Sequence, residues 1–91
     1  MLVSLYVYWT IIYRMIVEFV MDGAVHSAKI GVDGHIFTVL AQDKELHERF
    51  GELIMVEANG DFAWHNLSPA HYRYAYSVAI ALKQRLGFGQ K

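Results

Sequence analysis

Residues 15–41 read MIVEFVM-DG-AVHSAKIGV-DG-HIFTVLA, three apolar runs joined by Asp22-Gly23 and Asp33-Gly34. An Asp-Gly pair between alternating apolar runs is the strongest short-range signal for a two-residue β-hairpin, because the tight turn needs positive φ. Such a loop also sets the register of the strands it joins. The first turn predicts Met21 opposite Ala24, Phe19 opposite His26, Val17 opposite Ala28 and Met15 opposite Ile30. The second predicts Val32 opposite His35, Ile30 opposite Phe37, Ala28 opposite Val39 and His26 opposite Ala41.

These two registers agree about the faces of the sheet. One face collects Met15, Val17, Phe19, Met21, Ala24, Ala28, Ile30, Val32, Phe37, Val39 and Ala41, with His26 and His35 among them. The other shows Arg14, Glu18, Ser27, Lys29, Thr38 and Gln42, diluted by Ile16, Val20, Val25, Ile36 and Leu40. That second face is amphipathic, and the pattern predicts that something covers part of it.

Toward the N-terminus the alternation continues: every odd position from Val3 to Met21 is apolar. A helical stripe (Leu2, Leu5, Tyr6, Trp9, Ile12, Tyr13, Ile16, Phe19, Val20) fits the same segment, so composition decides. Thirteen of residues 2–21 are β-branched or aromatic, which favours a strand. One strand of that length would span roughly 65 Å, more than so small a domain can cover. The first hairpin uses Met15 to Met21. Residues 1–14 are then an apolar N-terminal strand or arm with no assigned neighbour, ahead of a single domain over 15–91. Val3, Leu5, Val7, Trp9, Ile11 and Tyr13 are its interface candidates.

Toward the C-terminus, Asp43 is placed to cap a short helix, Lys44 to Phe50, that Gly51 stops. Leu53 to Ala58 and Asp61 to Leu67 form a third hairpin about Asn59-Gly60, with Val56 opposite Ala63, Met55 opposite Trp64 and Ile54 opposite His65. Both of its faces carry apolar groups, so its orientation stays open. Ser68 and Pro69 open the last helix, with Leu67 placed to staple onto Tyr72, and Lys83, Arg85 and Gly87 suit its end. Tyr72, Ala75, Tyr76, Ala79, Leu82 and Leu86 form the stripe expected to lie on the sheet. The predicted fold is α+β: an antiparallel meander sheet of five to six strands, ordered β-β-β-α-β-β-α behind an extra N-terminal strand, with the C-terminal helix packed on one face.

Composition narrows the function classes. A formal charge of −1 over 91 residues leaves no electrostatic footprint for nucleic acid or an anionic membrane. The N-terminal run lacks a basic leader and a small-residue cleavage site, and Arg14 interrupts it, so a membrane role is not expected. With no cysteine there is no disulfide, thiolate nucleophile or zinc–thiolate site, which suits the cytoplasm. All seven glycines are isolated, so no phosphate-binding loop exists.

The unusual chemical supply is five histidines. His26 is placed on the apolar face beside Phe19, where an imidazole could act as a base or ligand contact near neutral pH. His65 and His71 are secondary polar candidates, but no H-x-x-x-H or H-E-x-x-H spacing supports a metal, and no cofactor is expected. Tyr72, Arg73, Tyr74 and Tyr76 suggest base stacking, yet helical spacing explains them as packing.

Three readings follow. The preferred one is a small interaction or binding module without a catalytic motif, assembled as a homodimer through the N-terminal strand, because 55% hydrophobic content exceeds what one small core can hide. The alternative is a small-molecule-binding protein or small enzyme with a pocket between sheet and C-terminal helix, using His26 with Phe19, Phe37, Tyr72 and Tyr76 as walls. The third is a nucleic-acid-associated accessory protein.

Overall fold

The computed structural model describes residues 13–87. Five strands, β1 (Tyr13–Met21), β2 (Ala24–Asp33), β3 (Ile36–Ala41), β4 (Glu52–Ala58) and β5 (Asp61–Ala63), form one antiparallel meander in the order β1-β2-β3-β4-β5. A short helix α1 (Lys44–Phe50) joins β3 to β4, and a long helix α2 (Pro69–Leu86) follows β5. This is the α+β meander that the sequence predicts. No helix among the described residues is long and apolar enough to cross a membrane.

Turn chemistry explains the hairpins. Asp22 (φ 53°) and Gly23 (φ 79°), like Asn59 (φ 56°) and Gly60 (φ 83°), both take positive φ, as a type I′ turn requires. The first register is as predicted, from Met21 opposite Ala24 to Met15 opposite Ile30. The strand also runs further than predicted: Tyr13 pairs with Gly31 across a bulge before Met15. The other interface candidates, Val3, Leu5, Val7, Trp9 and Ile11, lie outside the described residues.

The second hairpin differs from its predicted register. Asp33 pairs with Ile36, Val32 with Phe37, Ile30 with Val39 and Ala28 with Ala41. The two loop residues are therefore Gly34 and His35, and of these only Gly34 has positive φ, at 62°. A loop with Gly at its first central position is the II′ alternative to Asp-Gly, and it moves the pairing by two residues. An even shift keeps every side chain on its face, so the predicted faces survive the slip.

Beyond α1, β5 ends at Ala63, so Val56 opposite Ala63 stands while Met55 and Ile54 have no partners in Trp64 and His65. Pairing with β3 orients this hairpin: Leu53 joins Val39 and Met55 joins Phe37 on the core side.

Helix α2 opens and closes as predicted. Ser68 Oγ accepts from the His71 N–H at 3.0 Å, and Gly87 ends the helix in the left-handed region. Its buried face is a different one, however. His71, Tyr74, Ala75, Val78, Ala79 and Leu82 point inward, while Tyr72 and Tyr76 are 45% and 49% exposed. The observed stripe is rotated by roughly 60° from the expected one, given 100° per residue. Leu67 is exposed and makes no staple.

Polar contacts show how α2 lies on the sheet. Arg73 reaches Asp22 (3.7 Å) and Arg85 donates to the Ile16 carbonyl (3.3 Å), so α2 runs antiparallel along β1. Lys83 reaches Asp61 beside the opposite edge at 2.6 Å. One helix thus touches both edge strands, and the sheet curls around it. The core between them comprises Val17, Phe19, Ala28, Ile30, Phe37, Val39, Leu53 and Met55 from the sheet, with Leu46 from α1 and the α2 stripe.

Candidate functional site

Start with the edge that β1 presents. In a two-residue hairpin the residues flanking the loop form a hydrogen-bonded pair, and such pairs alternate with non-hydrogen-bonded ones. Met21, Phe19 and Val17 therefore bond to β2, while Val20, Glu18 and Ile16 turn their backbone groups outward. Arg85, which donates to the outward Ile16 carbonyl, fits this alternation. Among the described residues, β1 has no strand neighbour on that side.

Beside this edge runs an open groove of about 400 Å³ between β1 and α2. Glu18, Phe19 and Val20 form one wall, and Tyr76, Ser77, Ile80, Ala81 and Gln84 form the other. Small residues at Ser77 and Ala81 keep the helix close to the strand, while Ile80 and Tyr76 form an apolar rim. Val20 is 62% exposed and pairs across the sheet with Val25, itself 66% exposed, so apolar surface continues onto the outer face. Ile36 and Val56 make a second exposed cross-strand pair there, with Ile54 beside them.

Of the pocket residues expected from the sequence, Phe19 and Tyr76 line the β1–α2 groove, whereas His26, Phe37 and Tyr72 do not. Phe19 is buried and lies 5.6 Å from the His26 ring, centroid to centroid. Phe37 packs edge-on against Phe62. Tyr72 stacks on Tyr76 at 5.7 Å and tilts against Trp64, on the outer side of α2. Between sheet and helix the space is filled by Tyr74, which stacks on Phe50 at 4.7 Å and meets Phe19 edge-on.

His26 instead finds Asp43, Nδ1 to Oδ2 at 3.2 Å. The other oxygen of Asp43 accepts from the Glu45 and Leu46 N–H groups as the α1 N-cap. The Leu46 N–H above all, with Glu45 and His26, holds the Asp43 carboxyl below its usual range despite some desolvation. His35, opposite Glu57 at 2.7 Å, is solvent-exposed; Glu57 is lowered chiefly by the Gly60 N–H and then by His35. Both pairs tie a strand to a turn or a cap, which is a structural task.

His71 and His65 part company. His71 is 5% exposed, its Nδ1 accepts from the Leu67 N–H at 3.5 Å, and burial, followed by repulsion from His65, pushes its pKa down. His65 is exposed. His71 also lines a concavity of about 270 Å³ with Arg49, Phe50 and Ser68. A third concavity, of about 390 Å³, holds Lys29, Lys44 and His47 around Leu40. No cluster of three His, Asp or Glu side chains able to hold a metal occurs among the described residues.

Sequence reasoning missed Ile80 and Arg85 as groove and edge residues. Val78 was the available signal: placing it inward turns α2 enough to bring Ile80 to the surface. Comparison with protein-family models, with curated proteins and with solved structures finds no match for this chain.

Proposed function

We propose that this protein is a small α+β interaction module that works as a homodimer, assembled through the apolar segment preceding β1. The observation that carries this reading is the outer edge of β1. It lies beside an apolar groove, lacks a strand neighbour among the described residues, and directly continues the alternating segment 1–12. Exposed sheet edges are templates for another chain, and exposed apolar surface of this kind marks association sites. The exposed Val20–Val25 and Ile36–Val56 pairs add to the surface that association would cover. The absence of cysteine suits the reducing cytoplasm proposed as its compartment.

Light scattering on the full chain over a dilution series tests this. The expected result is a dimer mass that falls to the monomer mass on dilution. A monomer mass at every concentration up to the millimolar range would overturn the reading.

A further inference from the structure

The β1–α2 groove has the features of a strand-docking site. An extended segment can add to a sheet edge through main-chain hydrogen bonds while alternate side chains enter pockets beside it. Here the outward N–H and C=O groups of Glu18 and Val20 supply the ladder, and the groove of Tyr76, Ser77, Ile80 and Ala81 supplies the pocket. Arg85 occupies the Ile16 carbonyl, so the ladder on offer is short and runs from Glu18 toward the Asp22-Gly23 turn. The groove lies on the core side of the sheet edge, where every second side chain of an added strand would point.

The occupant follows from where the remaining chain enters. Residues 1–12, MLVSLYVYWTII, lead straight into β1 at Tyr13 and carry apolar Val3, Leu5, Val7, Trp9 and Ile11 in alternation. This composition fits a groove with an apolar rim. For that segment to reach the edge of its own β1, the chain would have to reverse just before Tyr13. No Gly, Pro, Asn or Asp occurs in residues 1–12, whereas Gly with Asp or Asn marks each hairpin turn of the described domain. The same segment of a second copy needs no such reversal.

We infer that the groove between β1 and α2 is the receptor for residues 2–12 of a second copy, giving a reciprocal strand exchange. This inference rests on the homodimer reading and adds the seat and the segment that fills it. A two-fold arrangement closes the exchange, because each copy offers one segment and one groove.

The chain has no native cysteine, so introduced pairs report cleanly. Ile80→Cys is made in the full chain, alone or together with one cysteine at Val3, Val7 or Ile11. A mixture of Ile80→Cys chains with single segment-cysteine chains is oxidised and its disulfide products are weighed. Heterodimers above the statistical half are expected. In the doubly substituted chain, a cross-linked dimer is expected; a cross-linked monomer would mean that the segment occupies its own groove, which overturns the proposal.

Ile80→Glu and Glu18→Pro test the receptor side. The proline removes an outward N–H and leaves the β1–β2 hydrogen bonds in place. Each variant should weaken the dimer about tenfold or more while keeping the wild-type circular dichroism. Glu48→Lys, on the exposed side of α1 and outside the groove lining, should leave it unchanged within about threefold. If the wild type dimerises and both groove variants dimerise as tightly, the groove assignment falls and the dimer reading stands; a monomeric wild type removes both.

Discussion

Tyr74 sits at the centre of the molecule, fully buried between Phe19 and Phe50. Its hydroxyl makes no hydrogen bond of good geometry among the described residues; burial pushes its pKa up to about 12, opposed only in part by the Ala41 backbone beside it. A buried polar atom without a partner costs about 1–3 kcal/mol. Tyr74→Phe removes that atom and keeps both ring contacts, so urea unfolding should show stability unchanged or raised by up to about 1 kcal/mol. A loss above about 1 kcal/mol would mean that the hydroxyl is satisfied in solution.

His71 gives a pH dependence with a definite sign. Its folded-state pKa lies below the ordinary imidazole value of 6.5, mainly because it is buried. As the pH falls, the unfolded chain therefore takes up this proton first, and stability drops. The contribution is fully present above the ordinary imidazole range and is lost as the pH descends through and below it. His71→Gln should flatten the slope of unfolding free energy between about pH 7.5 and 5.5. An unchanged slope would show that His71 does not carry it. Neither His71 nor Tyr74 declared itself in the sequence as the inward residue, because Tyr72, Tyr74 and Tyr76 alternate along a helix and only its phase separates them.

At the scale of elements, the Asp-Gly pairs illustrate how one dipeptide makes two different turns. Asp22 takes φ 53° inside its turn, while Asp33 is the last residue of β2 and pairs with Ile36. A β-branched residue is strained at positive φ and well suited to a strand. Asp22→Thr should therefore cost about 1–2 kcal/mol and Asp33→Thr less than about 0.5 kcal/mol, measured by thermal or urea unfolding. Equal costs would return Asp33 to the loop.

Element boundaries were largely legible because capping chemistry is local: Asp43, Gly51, Ser68, Pro69 and Gly87 stand where the sequence placed them. What was not legible was long-range. The II′ turn at Gly34, the short β5 and the rotation of α2 depend on which neighbours fill the core. Ala75, Ala79 and Leu82 belong to both possible α2 stripes; packing of Tyr74 against Phe19 and Phe50 selects between them. Of the β1–α2 groove, Phe19 and Tyr76 were legible as walls, but the rest of its lining was not, since its walls join residues separated by more than half the chain.

For the whole molecule, pairing between consecutive strands makes the sheet a chain of local contacts, whereas closure of the core requires α2 to return to β1. That return has a consequence during biosynthesis. All five strands leave the ribosome before the helix that covers them. Until that helix docks, Val17, Phe19, Ile30, Val39 and Met55 lack the partner that covers them in the folded core. The last element to be synthesised is therefore the one that seals the core, and its docking is the step that hides the apolar sheet face from other chains.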